Sequence, residues 1–232
     1  MRAETAYHGD MGRAFAERAT VSAYNAYTDR PAMLGLAGDV GGLRVLDLGC
    51  GAGHYADELL RLGARQVVGV DGSESLLHAA RERLGDGAVL HHHDLEEPLG
   101  FLDDRSFDLA VSALVYQHLD ARAQFLAEVR RVLRPGGALV LSITHPTADW
   151  TMTGGSYFTH ERVRLPFGDA FAMDYWRMTM ETFLGELLGA GFALEHLTEP
   201  QATEGARDTD PRRYEKLRTV PSFVAVRLRN PQ

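Results

Sequence analysis

Cysteine and lysine are nearly absent from the 232 residues: Cys50 is the one thiol and Lys216 the one lysine. A lone thiol excludes an internal disulfide, a cysteine-rich zinc site and paired-thiol redox chemistry. A lone lysine in a polar tail segment leaves little room for Schiff-base or lysine-nucleophile mechanisms. No run of about 18 apolar residues occurs, which argues against a membrane partner. The start, MRAETAYHGD, lacks the basic-then-apolar order of an export signal, so the expected location is cytoplasmic. Positive charge is also short. Lys and Arg total 24 against 32 Asp and Glu, a formal net charge of -8, and the arginines are scattered, which argues against nucleic acid as substrate. What remains is ordinary globular composition, 45% hydrophobic and 24% charged, in a length that suits one sizeable α/β domain.

Small and apolar residues recur at helical spacing from Ala3 to Ala19, and a short second helix is expected after Pro31. Residues 1–42 therefore read as an N-terminal helical cap. From Leu43 onward apolar strands at 43–48, 66–70, 88–92, 107–112 and 138–144 alternate with helices at roughly 54–62, 74–84 and 120–133. Short apolar strands joined by helices predict a doubly wound, Rossmann-like parallel sheet covered on both faces. Residues 145–177 show no clear period, are rich in Thr, Gly, Met and aromatics, and are too long for an ordinary connection. The segment 146–178 is expected to be a substrate lid. A helix at 179–189, a strand at 192–198, a polar loop at 200–218 and a last strand at 220–228 complete the single predicted domain, 1–232.

The first strand runs into Asp47-Leu48-Gly49-Cys50-Gly51-Ala52-Gly53. Three glycines let a backbone pass against a ligand where a Cβ would clash, and the helix that follows offers N–H groups to an anion. Asp47 is placed to receive an ammonium group. The stretch Gly51-Ala52-Gly53-His54-Tyr55-Ala56 also satisfies the dinucleotide pattern G-x-G-x-x-A, so the loop alone leaves a nicotinamide cofactor open. Asp71, ending Val67-Val68-Gly69-Val70-Asp71, suits the ribose hydroxyls of either adenosine ligand. Asp94, after the third strand, is the distinguishing residue: it can accept a hydrogen bond from an adenine amino group, an arrangement a nicotinamide enzyme does not need.

These motifs, VLDLGCGAG, VVGVDGSESLL and HHDLEEPL, followed by FDLAVSALVYQHL and EVRRVLRPGGALVLSITHP, resemble class I S-adenosylmethionine-dependent methyltransferases of the ubiquinone-biosynthesis-like group, over about residues 43–145. The resemblance implies a seven-stranded, mostly parallel sheet with an antiparallel last strand. It implies S-adenosylmethionine as cofactor, S-adenosylhomocysteine as product, and a small-molecule acceptor methylated on O, N or C. It also implies cofactor contacts from Asp47, Gly49, Gly51, Gly53, Asp71, Gly72, Ser73, Asp94, Leu95 and Ala113. The segment Asn25 to Pro31 resembles parts that close over the cofactor in relatives, which adds Tyr27 and Arg30. A descendant that keeps the cofactor site without methylating shares every one of these motifs.

Methyl transfer needs alignment and exclusion of water, and for a hydroxyl or protonated amine it needs a base, for which histidine is suited. His118 follows the fourth strand and His145 the fifth, both at carboxyl ends where open α/β sheets bind ligands. They are the candidate catalytic residues. The competing roles are a helix-start or cofactor-packing residue for His118 and a loop-ordering residue before Pro146 for His145. Tyr116, Trp150, Tyr157 and Trp176 are the candidate acceptor-site residues, within an aromatic- and Met-rich group that also includes Met152, Phe158, Phe171 and Tyr175. The bland alternative is a second small core. Arg177 either pairs with an acidic acceptor group or is simply exposed. No metal is expected, because the adjacent side chains of His91-His92-His93 alternate between strand faces.

Overall fold

The apolar runs pair as their length and β-branched content predict. In the computed structural model, which describes residues 7–167 and 171–231, seven strands form one sheet: β1 (Arg44–Leu48), β2 (Gln66–Asp71), β3 (Ala88–His92), β4 (Phe107–Ala113), β5 (Leu133–Thr144), β8 (Ala193–Thr198) and β9 (Phe223–Arg229). Their spatial order is β3-β2-β1-β4-β5-β9-β8. The first five are mutually parallel, while β9 runs antiparallel to both β5 and β8. The sheet is thus mostly parallel with an antiparallel last strand, and the crossover from β3 to β4 places a switch point beside β1.

Alternation along each strand separates two cores. Leu46, Leu48, Val68 and Val70 face α5 (Arg122–Val132) and α7 (Met180–Gly189), where Phe125, Leu126, Phe183 and Leu187 are buried. Val45, Val67 and Val140 face α2 (Arg30–Ala37) and α3 (His54–Arg61) through Met33, Ala56 and Leu59. Each such side chain, fully buried, stabilises the fold by about 1.5–3 kcal/mol. Asp47 lies between Leu46 and Leu48 and so points to the second face, a carboxylate among apolar side chains.

Three expectations differ in detail, while Pro31 stands in the first turn of its helix as expected. The first helix, α1, covers Gly9–Val21, and the predicted start at Ala3 lies outside the described residues. Pro31 is in the first turn of α2, which a π-helical turn at Asn25–Asp29 precedes. Residues 145–177 are not irregular: α6 (Pro146–Thr153) is followed by an antiparallel hairpin of β6 (Glu161–Phe167) and β7 (Phe171–Arg177). Short strands with a Pro and mixed polarity hid that pattern. The polar stretch 200–218 holds α8 (Gly205–Thr209) and α9 (Pro211–Thr219), capped by Asp210, whose side chain accepts from the Arg213 amide. Only Tyr214 and Leu217 of α9 are buried, too few to announce a helical stripe. The remaining helix, α4 (Glu74–Leu84), starts at Ser73, whose hydroxyl accepts from the Leu76 amide.

Candidate active site

The carboxyl ends of β1, β2 and β4 meet at the switch point. The glycine loop leaves β1 with Gly49, Gly51 and Gly53 all at positive φ (74°, 53° and 77°), a backbone path that side chains oppose. At Gly49 close approach adds to it, because a Cβ there would lie 2.2 Å from Val115 Cγ2. The Gly49 and Cys50 amides both donate to the Val70 carbonyl, at 2.7 and 3.1 Å, which fastens the loop to the end of β2. No side chain caps α3, whose N-cap is Gly53.

Asp71 holds this loop from the other side. Its Oδ2 accepts from the Gly51 amide and its Oδ1 from the Ser73 amide, both at 2.8 Å. Burial raises its carboxyl pKa, and those two amides oppose the rise. Asp47 is 1% exposed, and its Oδ2 has no hydrogen-bond partner. Burial, reinforced by the charge of Asp71, pushes its pKa up to about 7, with the Ala56 amide acting the other way. Asp94 caps its own turn by accepting from the Glu96 amide at 3.0 Å.

One cavity of about 1230 Å³ begins here. Its walls include Gly49, Gly51, Asp71, Gly72, Ser73, Asp94, Leu95 and Ala113, eight of the cofactor-site residues expected from sequence. It continues past His118 to Met152, Leu165, Met173 and Tyr175 of α6 and the hairpin, and to Phe15 and Tyr24 near the N-terminus. That volume exceeds what one small ligand fills.

Other expected site residues stand elsewhere. Gly53 packs against Leu84 and Ala80 of α4, where a Cβ would come within 2.9 and 3.2 Å, so it fits the helix pair together. Tyr27 leans on α8 and its carbonyl accepts from the Thr203 amide at 2.7 Å. Arg30 reaches the Ala19 carbonyl at 3.1 Å and lies over the Tyr55 ring. Beside it, Asp29 accepts from the Tyr55 hydroxyl at 2.6 Å, and burial pushes its pKa up to about 6. Asp47, Gly53, Tyr27 and Arg30 do not line the cavity.

The two histidines separate clearly. His118 lines the cavity from the 3-10 turn Tyr116–His118, between the edges of Tyr7 and Tyr175. Its Nδ1 is 3.2 Å from the Asp174 carbonyl oxygen, and burial lowers its pKa to about 4. His145 instead caps α6: its Nδ1 accepts from the Thr147 amide at 3.2 Å, and its Nε2 meets Glu199 at 2.8 Å. The ring is 5% exposed and lies outside the cavity wall, so the loop-ordering role is the one its contacts fill.

The four aromatic acceptor-site candidates also lie off the wall. Tyr116 is fully buried against Phe125 and Phe183 and donates to Glu186 at 2.7 Å. Trp176 donates from Nε1 to Asp120 at 2.6 Å and stacks near His160, which docks the hairpin on the body. Trp150 donates to the Gly155 carbonyl at 2.9 Å, while the Tyr157 hydroxyl accepts from the Met180 amide at 3.0 Å. These rings serve the packing of the segment, close to the second-core alternative. The Phe171 side chain lies outside the described residues. Arg177 is 5% exposed and ties α6 to the hairpin through Thr153, the Gly154 and Ser156 carbonyls, and Glu161. At the end of β3, His91 and His93 share a face against Phe101 while His92 turns to the Gly72 carbonyl, as extended backbone requires.

Sequence reasoning missed Gln117, Tyr24, Leu165, Met173 and Arg213 as wall residues. Gln117 adjoins a residue singled out on motif grounds; the others come from distant segments that no local pattern connects.

The comparisons with known proteins bear on this geometry. Residues 46–141 match the model of a methyltransferase domain. The fold superposes on the crystal structure of an S-adenosylmethionine-dependent methyltransferase from Mesorhizobium loti with a TM-score of 0.71 and 29% identity, covering 91% of this chain and 99% of that one. Residues 46–141 belong to that methyltransferase domain family, and the fold is that of a class I S-adenosylmethionine-dependent methyltransferase. Membership decides the cofactor that the glycine loop left open, in favour of S-adenosylmethionine over a dinucleotide. Two features are compatible with it: eight of the expected residues share one cavity wall, and the Asp47 oxygen, off that wall, has no hydrogen-bond partner. Among curated relatives, a ubiquinone biosynthesis O-methyltransferase of Bradyrhizobium is 40% identical over 105 residues, 44% of this chain and 40% of that protein. An N-demethylindolmycin N-methyltransferase of Streptomyces griseus is 28% identical over 177 residues, 68% of this chain and 74% of that protein. The chain spans about two-fifths of the length of the ubiquinone-biosynthesis methyltransferases it matches.

Proposed function

We propose that this methyltransferase acts on a small-molecule acceptor bound between the carboxyl ends of β4 and β5 and the α6–hairpin segment. The observation that carries the reading is the continuity of one cavity from the glycine loop, Asp71 and Asp94 to His118, Met152 and Tyr175. Bound S-adenosylmethionine supplies a methyl group on a sulfonium. The chain's own part is to bind, orient and exclude water. Asp47 receives the ammonium group, Asp71 takes the ribose hydroxyls and Asp94 the adenine edge. Leu165, Met173 and Tyr175 wall the acceptor, with the hairpin held down by the Trp176–Asp120 contact.

His118 is the candidate base. The Asp174 carbonyl can only accept, so Nδ1 carries the proton and Nε2 keeps its lone pair. Relatives named for an O-methylated and an N-methylated small molecule support this acceptor class. The net charge of -8 speaks against nucleic acid, and a cytoplasmic location remains our reading. No helix among the described residues is long and apolar enough to cross a membrane. Isothermal titration with S-adenosylhomocysteine, and with NADH as competitor, tests the cofactor half. Micromolar binding that NADH leaves unchanged is the expected result, and absence of binding would sink the reading. Release of S-adenosylhomocysteine on adding acceptor candidates tests the other half.

A further inference from the structure

The turn that carries His118 sends its neighbours in opposite directions. Tyr116 goes into the core and to Glu186, while Gln117 joins His118 on the cavity wall. Gln117 is 4% exposed, and its Oε1 has no hydrogen-bond partner. Among the described residues with such an orphaned buried side-chain atom, Gln117 alone lines the cavity. A buried amide oxygen without a partner is destabilising, and a ligand that supplies a donor removes the penalty.

The rest of that wall says which donor. Asp120, Asp174 and Arg213 on that wall already face counter-ions: Asp120 takes Arg162 at 2.6 Å, Asp174 faces Arg164 at 3.8 Å, and Arg213 faces Asp210 at 3.1 Å. Among the rest, Tyr24, Leu165, Met173, Tyr175 and Phe223 are aromatic or apolar, beside the neutral polar Ser22, Asn25 and Thr144. Beside Gln117, His118 offers a second acceptor, Nε2, because its Nδ1 is committed to Asp174. Two neutral acceptor atoms beside aromatic and apolar side chains suit an uncharged ring compound bearing a hydrogen-bond donor.

We propose that the Gln117 carboxamide reads the methyl acceptor by taking a hydrogen bond from an N–H or O–H of the acceptor molecule. This assigns the acceptor to neutral aromatic amines or hydroxy compounds, ahead of carbon acids and charged metabolites. The inference rests on the methyl-transfer reading above. Gln117 acts here as a specificity residue for the acceptor and has no part in holding the cofactor.

The test uses the full chain saturated with S-adenosylhomocysteine and two matched probe pairs, aniline with N,N-dimethylaniline and phenol with anisole, titrated by ligand-observed NMR. In the unmodified protein one donor-bearing member should bind about tenfold tighter than its blocked partner, the worth of one neutral hydrogen bond. Gln117→Met and Gln117→Leu, each checked for folding by thermal denaturation, should abolish that difference and leave S-adenosylhomocysteine affinity within about twofold. Equal binding of both members, no binding of either pair, or a preference that survives both substitutions overturns the proposal. So does a parallel loss of S-adenosylhomocysteine affinity, which would make Gln117 a cofactor contact. Failure of the methyl-transfer reading appears earlier and separately, as failure of the unmodified protein to bind S-adenosylhomocysteine.

Discussion

The Nδ1 proton of His118 is given to the Asp174 carbonyl 3.2 Å away, so a main-chain atom of the hairpin fixes the tautomer of a ring on the sheet's fourth crossover. The basic nitrogen is therefore Nε2, and burial keeps the ring neutral down to a pKa of about 4. The tautomer therefore depends on the docking of the hairpin.

If His118 removes the acceptor's proton, His118→Asn should lower kcat by about 10² and leave S-adenosylhomocysteine affinity unchanged. At saturating cofactor the acid limb of kcat due to this group should lie near pH 4, not near 6.5. The folded pKa is depressed, so between about 4 and 6.5 the unfolded chain binds more protons and this group's contribution to stability rises with pH. A limb near 6.5 that vanishes in the Asn variant would contradict the burial described.

His145→Ala should behave differently. Loss of the α6 cap costs about 1 kcal/mol of stability, measurable by urea denaturation, while kcat stays within about threefold. A loss of kcat as large as that of the His118 variant would return His145 to the chemistry.

Asp47 couples cofactor binding to pH. With its pKa pushed up to about 7 by burial, the folded apo chain holds a proton there that the unfolded chain has released above about 3.8. This group's contribution to apo stability is therefore present below about 3.8 and is lost as pH rises through about 7. An ammonium partner favours the ionised form. Binding of S-adenosylhomocysteine should release protons between pH 6 and about 7, seen as a calorimetric enthalpy that varies with the buffer's ionisation heat. Asp47→Asn should stabilise the apo protein at pH 8, abolish that proton release and weaken binding.

Asp71→Ala should lower cofactor affinity roughly a hundredfold, since it removes both a charge-assisted ribose contact worth about 2–3 kcal/mol and the anchor of the Gly51 amide. Asp71→Asn separates the two, because its amide keeps one acceptor oxygen. Unchanged affinity in folded Asp71→Ala would place the adenosine elsewhere.

Gly49→Ala should impair folding and cofactor binding together, because the new methyl would meet Val115 at 2.2 Å. Val115→Ala in the same chain should restore stability in part. The residue left over, about 1 kcal/mol, is the left-handed backbone at φ 74° that alanine disfavours. Equal thermal midpoints for Gly49→Ala and the unmodified chain would refute the packing.

The parallel strands, the glycine loop, Asp71 and Asp94 were legible in the sequence because each depends on neighbours within a few residues: apolar runs, positive-φ positions, an acid at a strand's end. His118 and His145 were equally legible as residues following strands. Their division of labour was not, since it depends on Asp174 and Glu199, 56 and 54 positions away. The hairpin of 161–177 and the helices of 200–218 escaped because their buried side chains are few and their stability comes from docking rather than from a local stripe. Tyr116 and Trp176 looked like pocket aromatics by type and position, and packing turned both to structural contacts with Glu186 and Asp120. Local order fixed the glycine loop and the acids at the strand ends; only the folding together of distant segments decided which side chains share the cavity wall, because that wall has no period along the chain.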